Sequence, residues 1–172
     1  DDGEFPANNL PEDYKLLYLG YNSFGSASAY AIFADGHQKK YLYHLDLSKR
    51  IVKDKQTLEG RLADAVLYAN NETQANVVYG VVDNEVWMYS VESGEEQRLN
   101  LNELDGEITY VSNRYWTNDA IDSQNNFNYL AVGTHKDGKY RIYLYNTIGG
   151  KPTGGSVRIL KGEGKVVKVH FN

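Results

Sequence analysis

Short apolar runs separated by Gly, Asn and Asp turns fill this chain, and they recur in three similar sets. The third set is the clearest: Gly106-Glu107-Ile108-Thr109-Tyr110-Val111, then Tyr129-Leu130-Ala131-Val132-Gly133, then Tyr140-Arg141-Ile142-Tyr143-Leu144-Tyr145. The second runs from Gly60-Arg61-Leu62 to Leu67, then Val77-Val78-Tyr79-Gly80, then Val86-Trp87-Met88-Tyr89. In the first, Lys15 to Tyr21 is followed by Tyr30 to Ala34 and by Tyr41 to Leu45. The junction glycines Gly60, Gly106 and Gly164 are 46 and 58 residues apart, and Tyr43, Trp87 and Tyr143 are 44 and 56 apart. A four-stranded propeller blade occupies about 40 to 50 residues, so the spacing matches one blade per set, with an insertion lengthening the third.

The pattern predicts strands near 15–21, 29–35, 39–47 and 50–57; near 62–68, 76–83, 84–92 and 96–101; near 107–113, 128–134, 139–147 and 156–161; and a last one at 165–171. No window carries a helical stripe over three turns, so almost no helix is expected. The middle strands are apolar without interruption, as in Val86 to Tyr89 and Ile142 to Tyr145. A half-solvated strand alternates, whereas a strand covered on both faces reads as a continuous run. The expected fold is therefore all-β: a β-propeller of four-stranded antiparallel blades over approximately 14–60, 61–106 and 107–164, after an acidic linker at 1–13. A β-sandwich is the alternative, but it demands cleaner alternation and no repeat.

The final strand, Lys165 to Phe171, copies the opening strand of a set and has no set to open. Three blades and one strand form a partial ring, which leaves apolar flanks that water covers poorly. Val167, Val169 and Phe171 are thus candidate interface residues, with the remaining blades of the same protein or a second copy as partner.

Composition narrows the partners. The net charge of −5 offers no basic field to a phosphate backbone, which argues against nucleic acid. The charge is uneven: residues 1–13 carry five acids and no base, whereas 151–172 carry five bases against Glu163. No apolar run reaches membrane-spanning length. With no cysteine there is neither a disulfide nor a thiolate site.

Tyr-Leu-Ala-Val-Gly, then Tyr-Arg-Ile-Tyr-Leu-Tyr-Asn, with the terminal Gly-Glu-Gly-Lys-Val-Val-Lys-Val, resembles the C-terminal propeller region of PKD-like lipoproteins secreted by Gram-negative gut bacteria. The resemblance covers residues 14–172 and implies an exported protein, periplasmic or at the cell surface, without a known catalytic activity and associated with glycan uptake. The Trp-Asp ending of WD40 blades is absent, as is a kelch double-glycine pattern recurring from set to set.

Candidate chemistry is sparse. His37 and His135 are expected on comparable turns, but the second set has Asp83-Asn84 there, so neither a metal nor a cofactor is expected. Asp35, Asp83 and Asp137 also fall at turns, where Asp favours tight hairpins; as catalytic carboxylates they would instead make the chain a carbohydrate-active hydrolase or lyase. Gly149 to Gly155 reads as a flexible connection. The ligand-binding candidates are Arg114, Tyr115, Trp116, Asn118 and Asp119 in the insertion of the third set: ring faces for stacking beside groups that hydrogen-bond hydroxyls. The same Tyr-Trp pair serves equally to pack the insertion onto its sheet. The corresponding loops, Asn22-Ser23-Phe24 and Asn70-Asn71-Glu72, are expected on the same side. The function read from this pattern is non-catalytic binding or scaffolding.

Overall fold

A computed structural model describes residues 10, 12–21, 28–68, 77–114 and 128–169. They form three antiparallel sheets in chain order, the first two of four strands and the third of five, two of which share one strand's edge. The first is β1 (Lys15–Tyr21), β2 (Ser28–Ala34), β3 (Lys40–Asp46) and β4 (Ile51–Thr57). The second is β5 (Val66–Leu67), β6 (Val77–Val82), β7 (Glu85–Ser90) and β8 (Glu96–Arg98), preceded by the short helix α1 (Gly60–Asp64). In the third, β9 (Glu107–Arg114), β10 (Tyr129–Lys136) and β11 (Lys139–Ile148) are followed by β12 (Lys151–Pro152) and β13 (Arg158–Glu163), which pair with opposite ends of β11.

Turn chemistry closes the hairpins. Asp83-Asn84, Asp137-Gly138 and Gly149-Gly150 are two-residue turns with both residues at positive φ, the geometry whose twist suits an antiparallel hairpin. The first sheet uses a longer turn, held by the Asp35 carboxylate, which accepts hydrogen bonds from the His37 and Lys39 amides at 2.9 Å each.

The sheets bury their faces against one another. Tyr18, Ile32 and Leu42 of the first sheet share a core with Val78, Val82 and Tyr89 of the second. Tyr79, Val86 and Met88 face the other way and join Leu130, Val132, Tyr143 and Tyr145 of the third. The uninterrupted run Val86-Trp87-Met88-Tyr89 is explained by this: alternate residues enter two different cores, and each fully buried aliphatic side chain contributes roughly 1.5–3 kcal/mol. On the outer face of the first sheet Ala29, Ala31, Tyr43 and Leu45 are buried, with Phe33, Tyr41 and Val52 of the same sheet and Leu10 from before β1 packed against them. Lys55 lies over the rings of Tyr41 and Tyr43, 4.8 and 5.5 Å from their centroids.

The structure departs from the sequence reading in three places. The strand expected over 62–68 is confined to Val66–Leu67, and residues 60–64 make one helical turn. Its first amides are satisfied from outside, because Glu96 of β8 accepts hydrogen bonds from Arg61 N and Leu62 N at 2.9 Å each. Residues 165–169 pair with no strand among the described residues. Gly164 N donates to Gly138 O at 2.8 Å, and Val166, 7% exposed, sits on β10 where Gly133 has no side chain. Val167 is 83% exposed, Val169 is half-buried, and Phe171 lies outside the described residues. Finally, Gly149-Gly150 is a tight hairpin turn rather than a loose connection, pinned by the Tyr79 hydroxyl, which donates to Gly150 O at 2.6 Å.

Candidate functional site

The sheets stack in one sense, and this decides which loops meet. At one end, the Asn84 side chain of the β6–β7 turn holds Gly106 and Ile108 at the start of β9, and Lys40 Nζ at the start of β3 donates to Ala63 O of α1. At the other end, Gly150, past β11, lies against Val77 and Met88 of the second sheet. The strand ends flanking residues 22–27, 69–76 and 115–127 therefore all lie at this second end.

A crevice of about 260 Å3 opens there between the first two sheets. Tyr30, Leu42, His44, Asp54 and Gln56 come from the first sheet, and Val91 and Glu92 follow β7. Tyr30 and His44 are cross-strand partners, and their rings stack 4.6 Å apart at 18°. The His44 Nε2 atom is buried with no hydrogen-bond partner among the described residues. Burial lowers the His44 pKa, and Lys53 lowers it further against the opposing pull of Asp54 and Asp46. Burial raises the Tyr30 hydroxyl, and Glu92 adds to the effect. At neutral pH the crevice thus presents a neutral imidazole, a phenol, an amide and two carboxylates. These groups include both hydrogen-bond donors and acceptors.

A second crevice of about 500 Å3 occupies the related position between the second and third sheets. Its walls include Arg98, Asn102, Glu103, Tyr145 and Lys151. Corresponding tyrosines close the two junctions. Gln56 Nε2 donates to the Tyr89 hydroxyl at 3.1 Å, while burial and then the Glu103 carboxylate push the Tyr145 hydroxyl up.

Of the residues singled out from the sequence, Arg114 ends β9 and pairs with Tyr129 through the main chain, which puts the start of the insertion at this end. Tyr115, Trp116, Asn118 and Asp119 lie outside the described residues. His37 and His135 are not equivalent: His37 is in an exposed turn, whereas His135 is inside β10, paired with Tyr140 and Glu107. Asp35 is engaged by two backbone amides, and Asp83 and Asp137 form hairpin corners. Among the described residues no group of three or more His, Cys, Asp or Glu side chains is placed to hold a metal ion, and no helix is long and apolar enough to cross a membrane.

The Tyr30–His44 pair is absent from the sequence reading, although His44 breaks the apolar run Tyr41 to Leu45. Folding β2 against β3 about the 35–39 turn brings residue 44 opposite residue 30, so the hairpin register was the available clue. No protein-family model matches the chain, and a search of curated proteins returned no match.

Proposed function

We propose that this chain is a non-catalytic binding or scaffolding module built from β-propeller blades, a partial ring that recognises its ligand at the end where the long connections leave the sheets. The observation that carries the reading is the common sense of stacking, which brings the strand ends flanking residues 22–27, 69–76 and 115–127 and the Tyr30–His44 crevice to one end. Propellers recognise through such loop faces without a reaction being implied. The exported, glycan-associated setting follows from the resemblance to PKD-like lipoproteins. It fits a crevice whose polar groups suit hydroxyls and an insertion carrying Tyr115 and Trp116. The exposed Val167 suits contact with a second polypeptide, either further blades of the same protein or another copy.

The test is a titration of the whole chain with a panel of neutral and acidic oligosaccharides, followed by tryptophan fluorescence and amide chemical shifts. Saturable binding is expected, with shifts at Tyr30, His44 and Glu92 and loss of binding in Trp116→Ala. Shifts confined to the opposite end would overturn the assignment of the recognition face. Cleavage of a saccharide that stops on replacing a single carboxylate would establish the hydrolase or lyase reading instead.

A further inference from the structure

Repeat-equivalent positions show which faces of the stack are filled. Tyr43, Trp87 and Tyr143 point back along it: Trp87 packs against the core shared with the first sheet, Tyr143 enters the core shared with the second, and Tyr43 lies on the outer face of the first. Their neighbours point forward. Leu42, Val86 and Met88 are buried where a following sheet covers them. The counterparts of Val86 and Met88 on β11, Ile142 and Leu144, are only half-buried. Leu160 of β13, directly opposite Ile142, is 38% exposed. Val166 covers this face at Gly133 of β10 and leaves the β13 side open. The other flank of the stack is apolar too. Leu16 and Leu19 of β1, opposite Phe33 and Ala31, share the face of Tyr43 and are 49% and 37% exposed.

A second observation is charge. Leu10 packs on the first flank, so the exposed Glu12 and Asp13 lie between that face and β1. On the third flank Arg158 is opposite Leu144, and Lys165 and Lys168 are beside Val166; all three cations are exposed. One flank is thus bordered by acids and the other by bases. Lys55 and Glu107 have the contrary sign, but Lys55 is held over Tyr41 and Tyr43, and Glu107 is on β9, at the far edge of the sheet from β13.

We propose that two copies of this chain associate head to tail, with Ile142, Leu144 and Leu160 of one third sheet against Leu16, Leu19 and Phe33 of the other copy's first sheet. The inference rests on the partial-ring reading above and selects a second copy as the partner. The contact joins the two kinds of face that already meet twice within the chain. Its apolar centre is rimmed by opposite charges, which steer the encounter and fix its orientation.

Sedimentation of the whole chain over a range of concentration and salt tests this. The expected result is a concentration-dependent dimer that weakens as salt rises. Leu160→Glu and Leu16→Glu, both at exposed positions, should keep the wild-type melting temperature and sediment as monomers. Mixed in equal amounts they should recover a dimer, because one copy keeps its third-sheet face and the other its first-sheet face. Only a contact between unlike faces allows that rescue. A monomeric wild type, self-association that survives in either variant, or a mixture that stays monomeric at every concentration would overturn the proposal. Carbene footprinting of a monomeric wild type would separate this failure from that of the partial ring. Labelling of Leu16 and Leu160 would mean an open stack with a different partner, whereas protection of both would mean a stack closed by its own chain.

Discussion

Asn84 Oδ1 accepts a hydrogen bond from the Ile108 amide at 2.8 Å, so one side chain in a hairpin turn of the second sheet fixes where the third begins. The same carboxamide donates to Gly106 O at 3.0 Å, clasping the main chain on both sides of Glu107. Asn also suits the turn, because φ at this position is +58°. Asn84→Gly should keep the turn and lose both bonds, destabilising the protein by about 1–3 kcal/mol. Asn84→Ala adds left-handed backbone strain of about 1 kcal/mol or more. Denaturant midpoints in the order wild type, Asn84→Gly, Asn84→Ala check this; an unchanged Asn84→Gly midpoint would mean the clasp is replaced by water without loss.

The helical turn at 60–64 depends on a residue 32 positions past it, Glu96, which accepts from Arg61 N and Leu62 N. Glu96→Ala should cost about 0.5–2 kcal/mol, as loss of a helix cap does. Leu62 is buried between the first two sheets, so its amide is the one to watch. Hydrogen exchange should accelerate at Leu62 in Glu96→Ala, and Glu96→Gln should recover part of the protection. Equal exchange in all three proteins would rule out Glu96 as the cap.

Most strands were legible in the sequence because their residues obey local rules. Asp83-Asn84 and Asp137-Gly138 signal two-residue turns, and apolar runs on both sides of them mark strands covered on two faces. What was not legible depends on distant partners. Leu62 and Leu67 look like strand residues, and nothing local discloses that Glu96 will cap a turn over the first of them. Likewise Val166 repeats the position of Ile108, each two residues after a junction glycine at positive φ, yet only Ile108 enters a ladder. The loop-end crevice was hidden for a third reason, since it needs the stacking sense of two sheets as well as the β2–β3 register.

His44 makes stability depend on pH in a window that carboxylates do not share. Its folded pKa lies below the ordinary value of 6.5 because burial disfavours the imidazolium. The unfolded chain therefore binds more protons as pH falls below that value. The contribution is complete above the unfolded pKa and is lost as pH drops through the range beneath it. Asp35, Asp46 and Asp105 also have lowered pKa values, so their losses begin only near the carboxylate range. The melting temperature should begin to decline as pH falls below about 6.5, and His44→Phe should flatten that decline while leaving the steeper fall in the carboxylate range below about pH 4. A His44→Phe profile parallel to wild type from pH 7.5 to 5 would show that His44 is solvated.

Gly133 and Val166 form a knob on a flat place: a Cβ at residue 133 would come within 3.0 Å of the Val166 Cβ and Cγ1 atoms. Contacts that close force one of the two to move, and overpacking of this kind costs about 1–3 kcal/mol. Gly133→Ala should thus destabilise the chain by lifting residues 165–169 from β10. Val166→Ala should also destabilise, by removing two buried methyl groups, each worth about 0.8 kcal/mol. Combining them should not add. An alanine at 166 removes the Cγ1 and Cγ2 contacts with the new methyl at 133 and keeps only the Cβ contact, so the double variant should be more stable than the sum of the single changes predicts, by about 0.5–3 kcal/mol. Gly164 supplies the control. It has φ +96°, but a Cβ there meets nothing within 4 Å, so Gly164→Ala should carry backbone strain alone and add independently to Val166→Ala. Additivity at Gly133 together with coupling at Gly164 would reverse the assignment and show that the backbone of the junction, rather than the seat on β10, holds the final segment.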